Sequence, residues 1–229
     1  MIFVTGDVHC PIDIHKLNTK NFPIQKSLTK DDYLIVCGDM GIVWSNPDMK
    51  GYKEDIYWQK WFNTRNYTTL FVDGNHENHP MLASYPVVDF CEGKAHQIKD
   101  SVYHLMRGEV YIIDGKTFFC FGGASSHDKN YRKEGKDWWS EEVATMSEMN
   151  YGIDNLSKFN NSVDYIITHC CGNDIQDMFA DWYEKDGMTS FFKFINENIK
   201  FKHWYFGHYH FNKQITKNHT CVYDKILQI

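Results

Sequence analysis

Leu70-Phe71-Val72-Asp73-Gly74-Asn75-His76-Glu77 reads as a short apolar strand that gives way, across a glycine, to side chains able to bind a cation. A similar arrangement recurs along the chain, with a glycine before most of the ligands. Ile2 to Val4 runs into Gly6-Asp7-Val8-His9, Tyr33 to Cys37 into Gly38-Asp39-Met40-Gly41, Tyr165 to Ile167 into His169, and Trp204 to Phe206 into Gly207-His208-Tyr209-His210. Continuous apolar runs of this length are expected of strands buried on both faces. Ligands just past their C-terminal ends would gather along one edge of a sheet, where open α/β folds place their sites. The expected fold class is therefore α/β. Val110-Tyr111-Ile112-Ile113, Asp114-Gly115 and Lys116-Thr117-Phe118-Phe119 add a hairpin by the Asp-Gly turn rule. Mixed strands there imply two sheets, or one sheet carrying antiparallel strands. Helices are expected over residues 190–199, with Ser190 as N-cap, and over 53–65 and 140–150.

In an extended segment alternate residues share a face, so Asp7 and His9 can point together, as can His208 and His210. Carboxylate, amide and imidazole donors mixed in this way suit Mn, Fe or Zn better than an all-thiolate site would. The glycines before Asp7, Asp39, Asn75 and His208 fit tight turns or close backbone approach where strand becomes loop. Any one of these segments is a common turn; all of them in this order form a specific signal.

The ordered set resembles the calcineurin-like metallophosphoesterase superfamily, whose blocks are Asp-x-His, Gly-Asp, Gly-Asn-His-Glu/Asp, a lone His and Gly-His-x-His, here running from Asp7 to His210. The resemblance implies a double β-sandwich, two mixed sheets flanked by helices, with a dinuclear site. By that pattern Asp7, His9 and His210 would hold one metal, Asn75, His169 and His208 the second, and Asp39 would bridge them. His76 would be the catalytic histidine. The implied cofactors are two divalent transition-metal ions, Mn first, with Fe, Zn, Ni or Co as alternatives. Two such ions about 3.5–4 Å apart acidify a bridging water, hold phosphate oxygens and neutralise charge during an in-line displacement. His76, beside a ligand but not counted as one, would protonate the leaving oxygen. The expected function is a broad phosphodiesterase or phosphomonoesterase; the alternative is a non-catalytic metal-binding interaction module on the same fold. Gly38-Asp39-Met40-Gly41-Ile42-Val43-Trp44 lacks the second Asp and the Arg of the protein phosphatase branch, which argues against protein dephosphorylation and removes the usual carboxylate partner of His76.

No Pro/Ser-rich linker or composition break divides the 229 residues, so one domain over residues 1–229 is expected. A net charge of −6 and a pI near 6.0 favour a small phosphate ester, a nucleotide or a short nucleic acid over a long one. Only Arg65, Arg107 and Arg132 offer a guanidinium for bidentate phosphate recognition. Seven cysteines without a secreted-scaffold rhythm, and no basic leader before Met1-Ile2-Phe3-Val4, fit a reducing cytoplasm. No apolar run approaches the ~20 residues of a membrane helix, and no obligate protein partner is implied. A cysteine phosphatase would need Arg six residues past its nucleophile, where Gln176 and Asp177 stand after Cys170 and Cys171; a Walker A loop and Cys-x2-Cys pairs are also missing. The stretch from Gly122 to Arg132, running on to Trp138-Trp139-Ser140-Glu141-Glu142, is rich in phosphate-friendly groups, and His127 and Arg132 are the expected substrate contacts. His15, His79, His96, His104, His203 and His219 read as surface or structural, with His79 at the pocket rim.

Overall fold

Ile2 and Val4 face one way in the first strand and Phe3 the other, and this alternation already separates the layers of the fold. The computed structural model describes all 229 residues and arranges thirteen strands in two mixed sheets. One contains β1 (Ile2–Thr5), β2 (Tyr33–Val36), β3 (Thr68–Phe71), β4 (Val87–Phe90), β5 (Gly93–Lys99) and β6 (Val102–Leu105). The other contains β7 (Glu109–Ile113), β8 (Lys116–Phe121), β9 (Tyr165–Thr168), β10 (His203–Phe206), β11 (Lys213–Thr216) and β12 (His219–Cys221). A short β13 (Leu227–Gln228) returns to the first sheet, giving the orders β13-β1-β2-β3-β6-β5-β4 and β11-β12-β10-β9-β8-β7. The central runs β1-β2-β3-β6 and β12-β10-β9-β8 are parallel, and the antiparallel strands lie at the margins. Parallel centres put the loops after β1, β2, β3, β9 and β10 at carboxyl ends of strands, as the apolar runs predict.

Ile2, Val4, Ile35 and Leu70 pack against Phe118, Cys120, Ile167 and Tyr205 in the layer between the sheets. On the outer face of the first sheet, Phe3, Leu34, Val36 and Phe71 meet Phe62 of α1 (Tyr52–Asn63). The outer face of the second sheet packs Phe119, Phe121 and Trp204 against α3 (Met146–Lys158) and α5 (Gly187–Asn198). Two shorter helices, α2 (His79–Ala83) and α4 (Asn173–Gln176), sit in the connections. Each large apolar side chain buried in these layers contributes about 1.5–3 kcal/mol. The site-bearing loops therefore rise from a stiff base. No helix is long and apolar enough to cross a membrane.

The hairpin forms as expected: Ile113 pairs with Lys116, and Asp114 and Gly115 both have positive φ, 51° and 71°. Two helix expectations are corrected. Residues 140–142 make only a 3-10 turn, and α3 starts at Met146, because Thr145 caps it and Glu148 closes the capping box. The last helix starts at Gly187, not Ser190, because Asp186 accepts from the Thr189 N–H; the Ser190 hydroxyl lies within the helix and donates to the Asp186 carbonyl.

Candidate metal centre

Five loops, after β1, β2, β3, β9 and β10, bring all seven sequence-predicted ligands and His76 into one cluster. His210 Nε2 lies 3.0 Å from Asp7 Oδ2, and His9 Nε2 lies 3.1 Å from Asp39 Oδ2. His169 Nε2 is 3.4 Å from the same Asp39 oxygen and 3.1 Å from Asn75 Oδ1, which is also 3.0 Å from His208 Nδ1. Asp39 thus stands between an Asp7 side and an Asn75 side. Ligand atoms of Asp7, His9 and His210, of His9, Asp39 and His76, and of Asp7, Asp39 and His169 each converge within 4.8 Å.

Close approach between loops explains the glycines. A Cβ on Gly74 would fall 2.0 Å from Asp39 Oδ1, and one on Gly38, whose φ is +91°, would fall 2.1 Å from His169 Nδ1. Each glycine makes room for a ligand from another loop. The candidate ligands themselves are strained: His9, Asp39, His208 and His210 all have positive φ, at 40°, 46°, 69° and 51°. Such backbones cost on the order of 1–3 kcal/mol each and persist only where the surroundings enforce them. Glu77, fully buried, accepts from the Gly74 N–H at 2.6 Å and the Met40 N–H at 2.7 Å, tying two loops together. Burial and the neighbouring Asp39 and Asp73 charges push its pKa up to about 8. Lys16 Nζ donates to the carbonyls of Gly6, Asp7 and Tyr223, and the Asp7 carboxylate accepts from the His208 N–H at 3.0 Å.

Hydrogen bonds around the cluster set which atoms face inward. His169 Nδ1 meets the Cys37 carbonyl at 2.7 Å and must donate to it, which leaves Nε2 turned toward Asp39 and Asn75. Asp13 Oδ2, 3.0 Å from His9 Nδ1, orients that ring in the same way. Asn75 Nδ2 donates to Ser126 Oγ at 3.0 Å, and Ser126 donates to Glu142 at 2.6 Å, so the amide oxygen faces His169 and His208. Partners of this kind orient metal ligands. Burial disfavours a charged Asp39, but His169 and His9 outweigh it and hold the carboxyl well below the usual range. Burial likewise disfavours a charged His169 or His9, yet Asp39 and Asp7 push their pKa values up to about 10 and about 9. His208 is driven down to about 3 by burial and the His169 charge. Without a cation, protons on His9 and His169 neutralise the two buried carboxylates. A divalent ion fits the same donors by displacing those protons.

His76 has its backbone N–H on Asp39 Oδ1 at 2.8 Å, and its ring lies 5.6 Å from that of His9 and 6.0 Å from that of Trp44. Arg132 Nη1 lies 3.3 Å from His76 Nδ1; a guanidinium can only donate, so a neutral His76 carries its proton on Nε2. Burial lowers the His76 pKa, with Asp39 opposing and Arg132 adding to the fall. Arg132 is itself held by Asp128 at 2.7 Å and the Asp137 carbonyl at 3.1 Å. His127 is exposed and reaches no candidate ligand by hydrogen bond, but it lines a small cavity with His208, Tyr183 and Asp186. His79 is corrected from the rim of this site: it is buried beside Asp73, in a different cavity.

A family model described as calcineurin-like phosphoesterase matches residues 1–212. The chain belongs to the calcineurin-like phosphoesterase family. No curated protein matches it. Calcineurin-like phosphoesterases are metal-dependent and act on phosphate esters, and this member supplies candidate ligand groups for the metal. Sequence reading missed four residues that hold its site together. Glu77 stands inside the Gly-Asn-His-Glu block, where a carboxylate beside a ligand is itself a signal. Asp13 carries none, and Ser126 and Glu142 stand in the stretch read for phosphate contact rather than for ligand support, because each acts through a contact that only the fold creates.

Proposed function

We propose that this calcineurin-like phosphoesterase hydrolyses phosphate esters with two divalent ions, broadly across monoesters and diesters. Asp7, His9 and His210 would hold one ion, Asn75, His169 and His208 the other, and Asp39 would contact both. The observation that carries this reading is the central place of Asp39, a buried carboxylate with His9 on one oxygen at 3.1 Å and His169 on the same oxygen at 3.4 Å. When bound, the ions supply positive charge for the phosphate oxygens and acidify a coordinated water. His76, with its proton on Nε2, donates to the leaving oxygen. Arg132 fixes that tautomer and adds a cation for the phosphate, and His127 contacts a more distant part of the substrate. A nucleotide or a short nucleic acid suits the acidic chain. We place the protein in the cytoplasm, a reading supported by its seven free cysteines.

The test strips the protein of metal, reloads it with Mn and compares initial rates on an aryl phosphomonoester and an aryl phosphodiester, with Asn75→Ala as the control for contaminating enzymes. The expected result is Mn-dependent hydrolysis that disappears in the variant. Metal binding without variant-sensitive turnover on either ester would overturn the enzyme reading in favour of an interaction module.

A further inference from the structure

A cavity of about 550 Å³ opens among α2, β5, β6 and the start of α3, and none of the seven candidate metal ligands lines it. Its size is that of a small-molecule site. In its wall, Asp73 Oδ2 accepts from Arg107 Nε at 2.9 Å and Nη2 at 2.5 Å, while Asp73 Oδ1 meets His104 Nε2 at 3.1 Å. His104 Nδ1 in turn lies 2.9 Å from His96 Nδ1, with the two rings 4° from parallel. A carboxylate held by a guanidinium only accepts, so His104 Nε2 carries a proton. With one proton per ring, His104 Nδ1 accepts and His96 Nδ1 donates. His96 is then left with an unpartnered lone pair at Nε2. Burial keeps that ring neutral, with a pKa near 4.

A second observation is independent of this chain. His79 also lines the cavity, is 8% exposed and makes no side-chain hydrogen bond: its Nδ1 stops 3.6 Å from Asp73 Oδ2 and its Nε2 has no partner. Buried polar atoms without partners are rare and call for an explanation such as a ligand. Charge indicates which kind. Four carboxylates, Asp73, Glu109, Glu141 and Glu148, line the cavity against two cations, Arg107 and Lys94. Both cations are already engaged, Arg107 by Asp73 and Glu148, Lys94 by Asp89. The triads of converging metal-ligand atoms all lie in the site described above, and none includes a residue of this cavity, which favours an organic ligand over a metal ion.

We propose that this cavity is a second ligand site that takes a small organic cation: an amine or amidine head donating to His96 Nε2 beside the Glu109 and Glu141 carboxylates, and an apolar body against Leu82 and Met106. The test titrates the Mn-loaded full chain by calorimetry with 4-aminobenzamidine, and with 4-aminobenzoate as a probe of the same body and opposite charge. The amidine is expected to bind once, with Kd below about 1 mM, at least about tenfold more tightly than the benzoate. Saturating inorganic phosphate should not displace it. His96→Leu, and Glu141→Lys at an exposed position that leaves the wall intact, should each weaken binding about tenfold or more while leaving aryl phosphate hydrolysis unchanged. No saturable binding, equal binding of the benzoate, displacement by phosphate, or unchanged affinity in the Glu141→Lys variant would each overturn the proposal. Because binding is read without turnover, its failure is distinguishable from failure of the phosphoesterase reading.

Discussion

Asp39 and Asp73 are both buried carboxylates just beyond neighbouring parallel strands, β2 and β3, and both are flanked by imidazoles. Their partners make them different. Around Asp39 the compensating charges are protons on His9 and His169, which can leave when a cation arrives. Around Asp73 the compensating charge is Arg107, a guanidinium that does not deprotonate, locked by two hydrogen bonds. Residue type alone therefore does not make a metal site: the counter-charge must be removable. On the proposed reading Asp39 would exchange those protons for a cation, whereas Asp73 is fixed and anchors its surroundings.

The comparison can be broken or sharpened by experiment. Asp39→Asn should have the largest effect, abolishing metal occupancy and metal-dependent turnover together; unchanged metal content by elemental analysis would remove Asp39 from its central place. His76→Ala should lower kcat by about 10²–10⁴-fold while the metal stays, and the loss should be greater on esters with poor leaving groups. Asp73→Asn should keep the metal but destabilise the fold by about 3–5 kcal/mol, because Arg107 is left with a buried, under-compensated charge. Urea unfolding reads this directly, and metal loss without destabilisation would erase the contrast between the two carboxylates. Because His9 and His169, with pKa values raised to about 9 and about 10, must each give up a proton to bind a cation, Mn affinity should rise with pH, by about a hundredfold per unit near neutrality. Titrations at two pH values in weak buffer should also show the release of two protons, and a pH-independent affinity would contradict the pairing. The smallest effect is expected of Ser126→Ala, about 10–100-fold in metal affinity through the lost orientation of Asn75.

The candidate ligands were legible because their segments follow apolar runs that form strands, and all but that of His169 also follow a glycine that leaves space for its neighbours. Gly74 and Gly38 show the physical reason: the volume of their missing side chains is filled by Asp39 and His169. The parallel centres of both sheets were legible from the same continuous apolar runs. Thr145-x-x-Glu148 and Asp186-x-x-Thr189 also stood in the sequence as helix starts, and attention to the capping side chain rather than to the apolar face would have placed α3 and α5 correctly. The chain from Asp73 through His104 to His96 was not legible. It joins β5 and β6 to the end of β3 through side chains that no local period relates, 31 residues apart between Asp73 and His104. The Ser126–Glu142 contact was hidden for the same reason, since it depends on how one loop folds back upon itself.

Lys16 gathers the carbonyls of Gly6, Asp7 and Tyr223, and β13 pairs with β1 directly before the Asp7 loop. Asp7 also accepts from the backbone of His208, 201 residues later. On a ribosome, the first candidate ligand made is thus among the last to be secured. While the earlier strands can already pack, the Asp7 loop lacks its buttress until residues 208–228 have emerged and docked, and contacts of such long sequence separation form slowly. A metal site built on Asp7 would thereby be complete only once those distant contacts have formed.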